Sequence, residues 1–87
     1  MGSAQKKARF YYENFENYSI KIRWKYFEYV LINFYGFEEL NKGGSTRLFI
    51  RGEVRFTADE PHGREDPFVF KDDRKRAIQA IRRLNLS

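Results

Sequence analysis

Phe27, Val30, Leu31 and Phe34 recur at i, i+3, i+4 and i+7, so a helix from Trp24 to Tyr35 carries them as one apolar stripe. Gly36 follows, at a position where a helix can end in a left-handed conformation that a side chain resists. So large a stripe must be buried, and 87 residues leave room for only one core. A chain of this size hides roughly 60–65% of the surface it exposes unfolded, enough for two packed layers and too little for a deep substrate cavity. Any site is therefore expected at the surface, and the aromatic stripe reads as core rather than as a cofactor box.

A second stripe closes the chain. Ala77, Ile78, Ile81 and Leu84 share one helical face, opposed by Arg74, Lys75, Arg76, Arg82 and Arg83, with Asp72 or Asp73 as candidate cap. Between the two helices, Phe37–Asn41, Arg47–Arg51 and Val54–Thr57 read as short strands, joined first by the turn Lys42-Gly43-Gly44-Ser45. If Arg51-Gly52-Glu53 forms the second connection, Ile50 faces Val54 and Leu48 faces Phe56. That register puts these four toward the helices and leaves Arg47, Phe49, Arg55 and Thr57 on the other face. The stretch 58–67, with four carboxylates and both prolines, reads as an exposed loop. Phe68-Val69-Phe70 reads as a short extended anchor, and Ile20 and Ile22, alternating with Lys21 and Arg23, as an extended lead-in. The expected fold is α+β, a three-stranded antiparallel sheet with two helices on one face, in the order α-β-β-β-α. Residues 20–87 form this domain. Residues 1–19 form a basic and aromatic arm, frayed over 1–9, with Tyr11, Phe15 and Tyr18 at helical spacing beyond.

Composition narrows the chemistry. With no cysteine and one histidine, the chain has no disulfide, no thiolate zinc site and no multi-histidine metal site, and no cofactor is expected. Asp59, Glu60, Glu65 and Asp66 do not follow the calcium-loop spacing, and Gly43-Gly44-Ser45-Thr46 lacks the Gly-Lys-Ser/Thr ending of a P-loop. The longest uncharged stretch, Tyr29 to Phe37, falls far short of the ~20 apolar residues of a membrane-spanning helix. No apolar run near the start resembles a secretory signal, so a cytoplasmic protein without membrane contact is expected. The net charge of +5 is gathered in three blocks, around Lys6 to Arg9, Lys42 to Arg55 and Lys71 to Arg83. Such blocks are either solvated surface or a polyanion-binding face, and aromatics beside them favour nucleic acid.

The helix ending in Gly36-Phe37-Glu38, the Gly43-Gly44-Ser45 turn followed by Arg47 and Phe49, the hairpin, the Pro61-His62-Gly63 loop and the isoleucine-bearing basic helix together resemble the HicA toxin family over about Ile20 to Leu84. The resemblance implies a double-stranded-RNA-binding-domain fold, RNA as partner, mRNA interferase activity and a HicB-like antitoxin. In that family the turn usually reads Gly-Ser-His, with the histidine taken as catalytic. Here Thr46 stands in its place.

His62 is then the only side chain whose ordinary pKa, about 6.5, suits proton transfer near neutrality, and it is the candidate catalytic residue. The candidate RNA contacts are Arg47 and Arg55 on the sheet and Lys71, Arg74, Lys75 and Arg76 at the start of the last helix, with Gly43, Gly44, Ser45 and Thr46 as the turn motif. Two alternatives stay open: a nucleic-acid-binding module without catalysis, and a protein-interaction domain presenting Arg47, Phe49 and Arg55 to an acidic partner.

Overall fold

The computed structural model describes residues 3–63 and 65–86. The elements run α1 (Ser3–Glu13), α2 (Trp24–Asn33), β1 (Glu38–Asn41), β2 (Thr46–Arg51), β3 (Val54–Asp59) and α3 (Lys71–Leu86). The sheet is antiparallel in the order β1-β2-β3, as the α+β reading expects. Phe27, Val30, Leu31, Ala77, Ile78 and Ile81 are buried in one core, so α2 and α3 cover the same sheet face. Gly36 takes φ +73° just beyond α2, and Phe37 N–H then closes the turn onto Leu31 O at 2.9 Å. No helix among the described residues is long and apolar enough to cross a membrane.

The hairpin register differs from expectation by one residue. Gly52 and Glu53 alone make the loop, Arg51 faces Val54, and Phe49 faces Phe56. Gly52 has φ +60° and Glu53 is not at positive φ, the type II′ arrangement that suits strand twist. This pairing sends Phe49, Phe56 and Ala58 into the core and places Leu48 and Ile50 on the uncovered face. Ile50 faces the charged Arg55 as a result. Burying two phenylalanine rings, at about 1.5–3 kcal/mol each, outweighs half-exposing a leucine and an isoleucine. The Arg47, Phe49, Arg55 surface is thereby dissolved: Phe49 is fully buried, Arg47 lies on the helix side and Arg55 on the open side.

Of the arm expected to fray over residues 1–9, residues 3–9 are instead part of α1, which begins at Ser3, and residues 1 and 2 lie outside the described residues. Ala8 and Phe15 are buried, Tyr12 stacks on Phe34 at 4.7 Å between ring centroids, and Tyr11 packs on Tyr26 at 5.0 Å. Helix α1 therefore lies against α2 and shares the core of the domain. Its chain then turns back through residues 14–19 into the extended lead-in.

Asp73 is not a helix cap. Its carboxylate, buried in the first turn of α3, accepts from the Asp59 N–H at 2.9 Å and from Arg76 at 2.7 Å, fastening α3 to β3.

Candidate nucleic-acid interface

Residues 20–23 and 67–69 run antiparallel as a short ribbon: Val69 N–H donates to Ile22 O at 2.9 Å and Trp24 N–H to Pro67 O at 2.7 Å, with Arg23 bridged to Phe68. Alternation then sorts the side chains. Ile22 is buried, whereas Phe68 and Phe70 point outward, along with Lys21. Phe68 and Phe70 stay 41% and 51% exposed, and Tyr18, from the turn after α1, 41%.

Tyr18, Lys21, Phe68, Val69, Phe70, Lys71 and Arg74 enclose a groove of about 420 Å³. Cations are set over its rings. The Arg23 guanidinium lies 4.1 Å from the Phe68 centroid and Lys21 Nζ 5.7 Å, while Arg74 and Lys71 stand 5.0 and 5.9 Å from Tyr18. No carboxylate lines the groove. Among the described residues, Phe70 has neither a cation nor another ring against it.

The basic cluster at the start of α3 divides into different roles. Arg74 is buried and spends its guanidinium on four backbone carbonyls: Nε donates to Phe15 O at 3.0 Å, Nη1 to Ile20 O at 2.8 Å, and Nη2 to Asn14 O at 3.1 Å and Asn17 O at 3.0 Å. These carbonyls follow the end of α1, where the helix leaves acceptors unsatisfied and favours positive charge. Burial pushes the Arg74 pKa down, and Tyr18 opposes the shift. Arg74 is thus a clamp holding residues 14–20 on α3, with four of its five N–H donors taken by backbone carbonyls. Arg76 pairs with Asp73, whereas Lys71 and Lys75 are exposed.

On the sheet, Arg47 is committed as well. It bonds Glu60 at 2.7 Å and the Gly44 carbonyl at 2.9 Å and pairs with Glu39 at 3.5 Å, tying β1, the turn and the loop after β3 together. Arg55 is exposed on the open face. The turn is a hairpin turn: Gly43 N–H goes to Asn41 Oδ1 at 2.8 Å, Thr46 N–H to Gly43 O at 3.1 Å, and Ser45 O accepts from Glu60 N–H at 2.9 Å. Thr46 Oγ1 donates to Asp59 Oδ1 at 2.9 Å. His62 is exposed in its loop and has no hydrogen-bond partner among the described residues.

Glu28, on α2, lies against this arginine-centred cluster. Burial, then a carboxyl hydrogen bond with Glu39 and the charges of Glu39 and Glu60, push its pKa up to about 8, and the Trp24 indole pulls in the opposite direction. No group of three or more His, Cys, Asp or Glu side chains among the described residues is arranged to hold a metal ion.

Tyr18, Lys21, Phe68 and Phe70 were not legible as site residues. Their composition was visible, but their exposure follows from the pairing of two segments about 45 residues apart, which local strand signals do not report. No family model matches the chain, and no curated protein or solved structure matches it either.

Proposed function

We propose that this chain is an RNA-binding protein of the kind its HicA-like order of elements implies, and that it binds without cleaving. The observation that carries the reading is the groove beside α3: exposed aromatic rings interleaved with the exposed Lys21 and Lys71, and no carboxylate on its walls. Positive charge attracts the phosphate backbone, and rings give bases a surface that water does not contest. An acidic protein partner would use the charge but has no need of three exposed rings. A HicB-like antitoxin is the protein partner the same resemblance brings.

Cleavage by 2′-hydroxyl attack needs a base at that hydroxyl and positive charge at the phosphorane. His62 is the one imidazole, the turn carries Thr46 in the family's histidine position, and Arg47 is held by Glu39 and Glu60. Binding alone fits these facts best.

The test is a fluorescence-anisotropy titration of a labelled RNA at 50 and 200 mM salt. With two to three phosphates neutralised, affinity falls about 7- to 20-fold over that interval, and reversing Lys21 and Lys71 together to Glu removes most of the binding. Binding that is absent at 50 mM salt, or indifferent to the double reversal, overturns the reading.

A further inference from the structure

The groove beside α3 discriminates between forms of RNA. A duplex hides the faces of its bases and offers phosphates and 2′-hydroxyls, which call for polar side chains spread across a minor groove. This groove has an apolar floor of Phe68, Val69 and Phe70. Laying a duplex on it would strip water from hydroxyls without giving them partners. An unpaired base, by contrast, has a free face that stacks on an exposed ring.

The rings are not equivalent. Phe68 is covered by the Arg23 guanidinium at 4.1 Å, and Tyr18 has Arg74 over it at 5.0 Å. Phe70, half-exposed and uncovered, is the free platform. Its position is fixed by the backbone on both sides: Val69 N–H is bonded to Ile22 O, and Phe70 O accepts the Arg74 N–H at 3.0 Å at the start of α3. A ring held outward by backbone pairing is an ordered platform that costs little to bring to a ligand. Lys21 and Lys71 line the same groove, their ammonium groups 5.7 Å from the Phe68 ring and 5.9 Å from the Tyr18 ring, and supply positive charge for phosphates flanking a stacked base.

We infer that the groove takes a single-stranded RNA segment, one unpaired base stacking on Phe70 with Lys21 and Lys71 on the neighbouring phosphates. This rests on the RNA-binding reading above and adds to it the strand state that is recognised and the ring that reads it.

The experiment compares a labelled single-stranded 12-mer with a blunt duplex of equal length, titrated with the parent chain, Phe70→Ala, Phe70→Trp and the Lys21→Glu/Lys71→Glu double variant. Phe70 is half-exposed, so its substitution leaves the fold intact, checked by an unchanged circular-dichroism melt. The expected result is a preference for the single strand, a loss of about 5- to 150-fold in its affinity with Phe70→Ala, and no change for the duplex. Phe70→Trp retains affinity, and its indole fluorescence is quenched on adding the single strand, against a constant background from buried Trp24. Equal loss on both RNAs, no loss with Phe70→Ala, or a preference for the duplex overturns the inference. If the double lysine reversal still abolishes binding in those cases, RNA binding stands and only the stacking assignment falls. If neither RNA binds and polyglutamate does, both fall and the partner is an acidic protein segment.

Discussion

Phe49 lies directly opposite Phe56 across the β2–β3 hairpin, their rings stacked at 5.1 Å between centroids, and both meet α2 or its flanks: Phe49 against Trp24 and Phe27, Phe56 against Phe37. Their pairing fixes which face of the sheet is core. It is the joint at which α2, the hairpin and the turn after α2 are held together.

Phe49→Ala should therefore cost about 3–5 kcal/mol, the range for a fully buried aromatic residue, whereas Leu48→Ala on the half-exposed face should cost under about 1.5 kcal/mol. Urea unfolding of both variants checks the register. Equal costs, or a larger one at Leu48, would mean that the three-residue loop is the right one.

Arg74 should be the most sensitive charged residue of the chain. Arg74→Leu strands the carbonyls of Asn14, Phe15, Asn17 and Ile20, and a lost hydrogen bond to a charged group costs about 1.5–3 kcal/mol, so a loss of at least that size is expected. Arg74→Lys recovers only part, because an ammonium cannot present the planar fork that reaches four acceptors. Hydrogen exchange should accelerate over residues 14–20 and in α1 well before it does in the sheet. Uniform acceleration across the chain would show that Arg74 is not a local clamp.

Glu28 makes stability depend on pH in a stated direction. Its folded pKa, about 8, lies above the ordinary 4.5, so between those values the folded chain keeps a proton that the unfolded chain has lost. Stability from this group is complete below about pH 4.5 and is lost as pH rises through 8. Glu28→Gln, which keeps the shape and the hydrogen bond and cannot ionise, should raise the melting temperature relative to the parent at pH 8.5 and leave it close to the parent's at pH 4. A variant less stable than the parent at pH 8.5 contradicts the assignment.

His62→Ala should leave RNA affinity within about twofold of the parent, since His62 lies outside the groove lining, and surface substitutions of this kind usually stay within about 0.5 kcal/mol. No cleavage product is expected from the parent on prolonged incubation. Cleavage by the parent that His62→Ala lowers by about 10²–10⁴-fold would restore His62 as a catalytic residue.

Much of this architecture could be read locally. The stripes Phe27, Val30, Leu31, Phe34 and Ala77, Ile78, Ile81, Leu84 identify the two helices over the sheet because a period of 3.6 is a property of neighbouring residues. Alternating apolar residues and the Gly43-Gly44 turn do the same for the strands. The helix α1 was only half visible, since Ala8 is too small to announce a buried face until Tyr12 and Phe15 are seen against α2. The hairpin register was equally underdetermined: Leu48 and Ile50 make as good an apolar pair as Phe49 does with Phe56, and a one-residue change of loop exchanges the faces.

By itself, then, the sequence determined α2, α3 and the three strands, that they share one core, and that the chain carries an excess of positive charge. Only the tertiary structure decided which cations are spent inside the fold and which face solvent. Arg74 and Arg47 look in sequence like Lys71 and Lys75, but carbonyls from residues 14–20 and carboxylates from Glu39 and Glu60 arrive from distant parts of the chain to occupy them. The same holds for Phe68 and Phe70, which composition would send to the core. Pairing of residues 67–69 with 20–23 assigns their alternate side chains to the outside, because a ribbon has two faces and Ile22 and Val69 already fill the inner one.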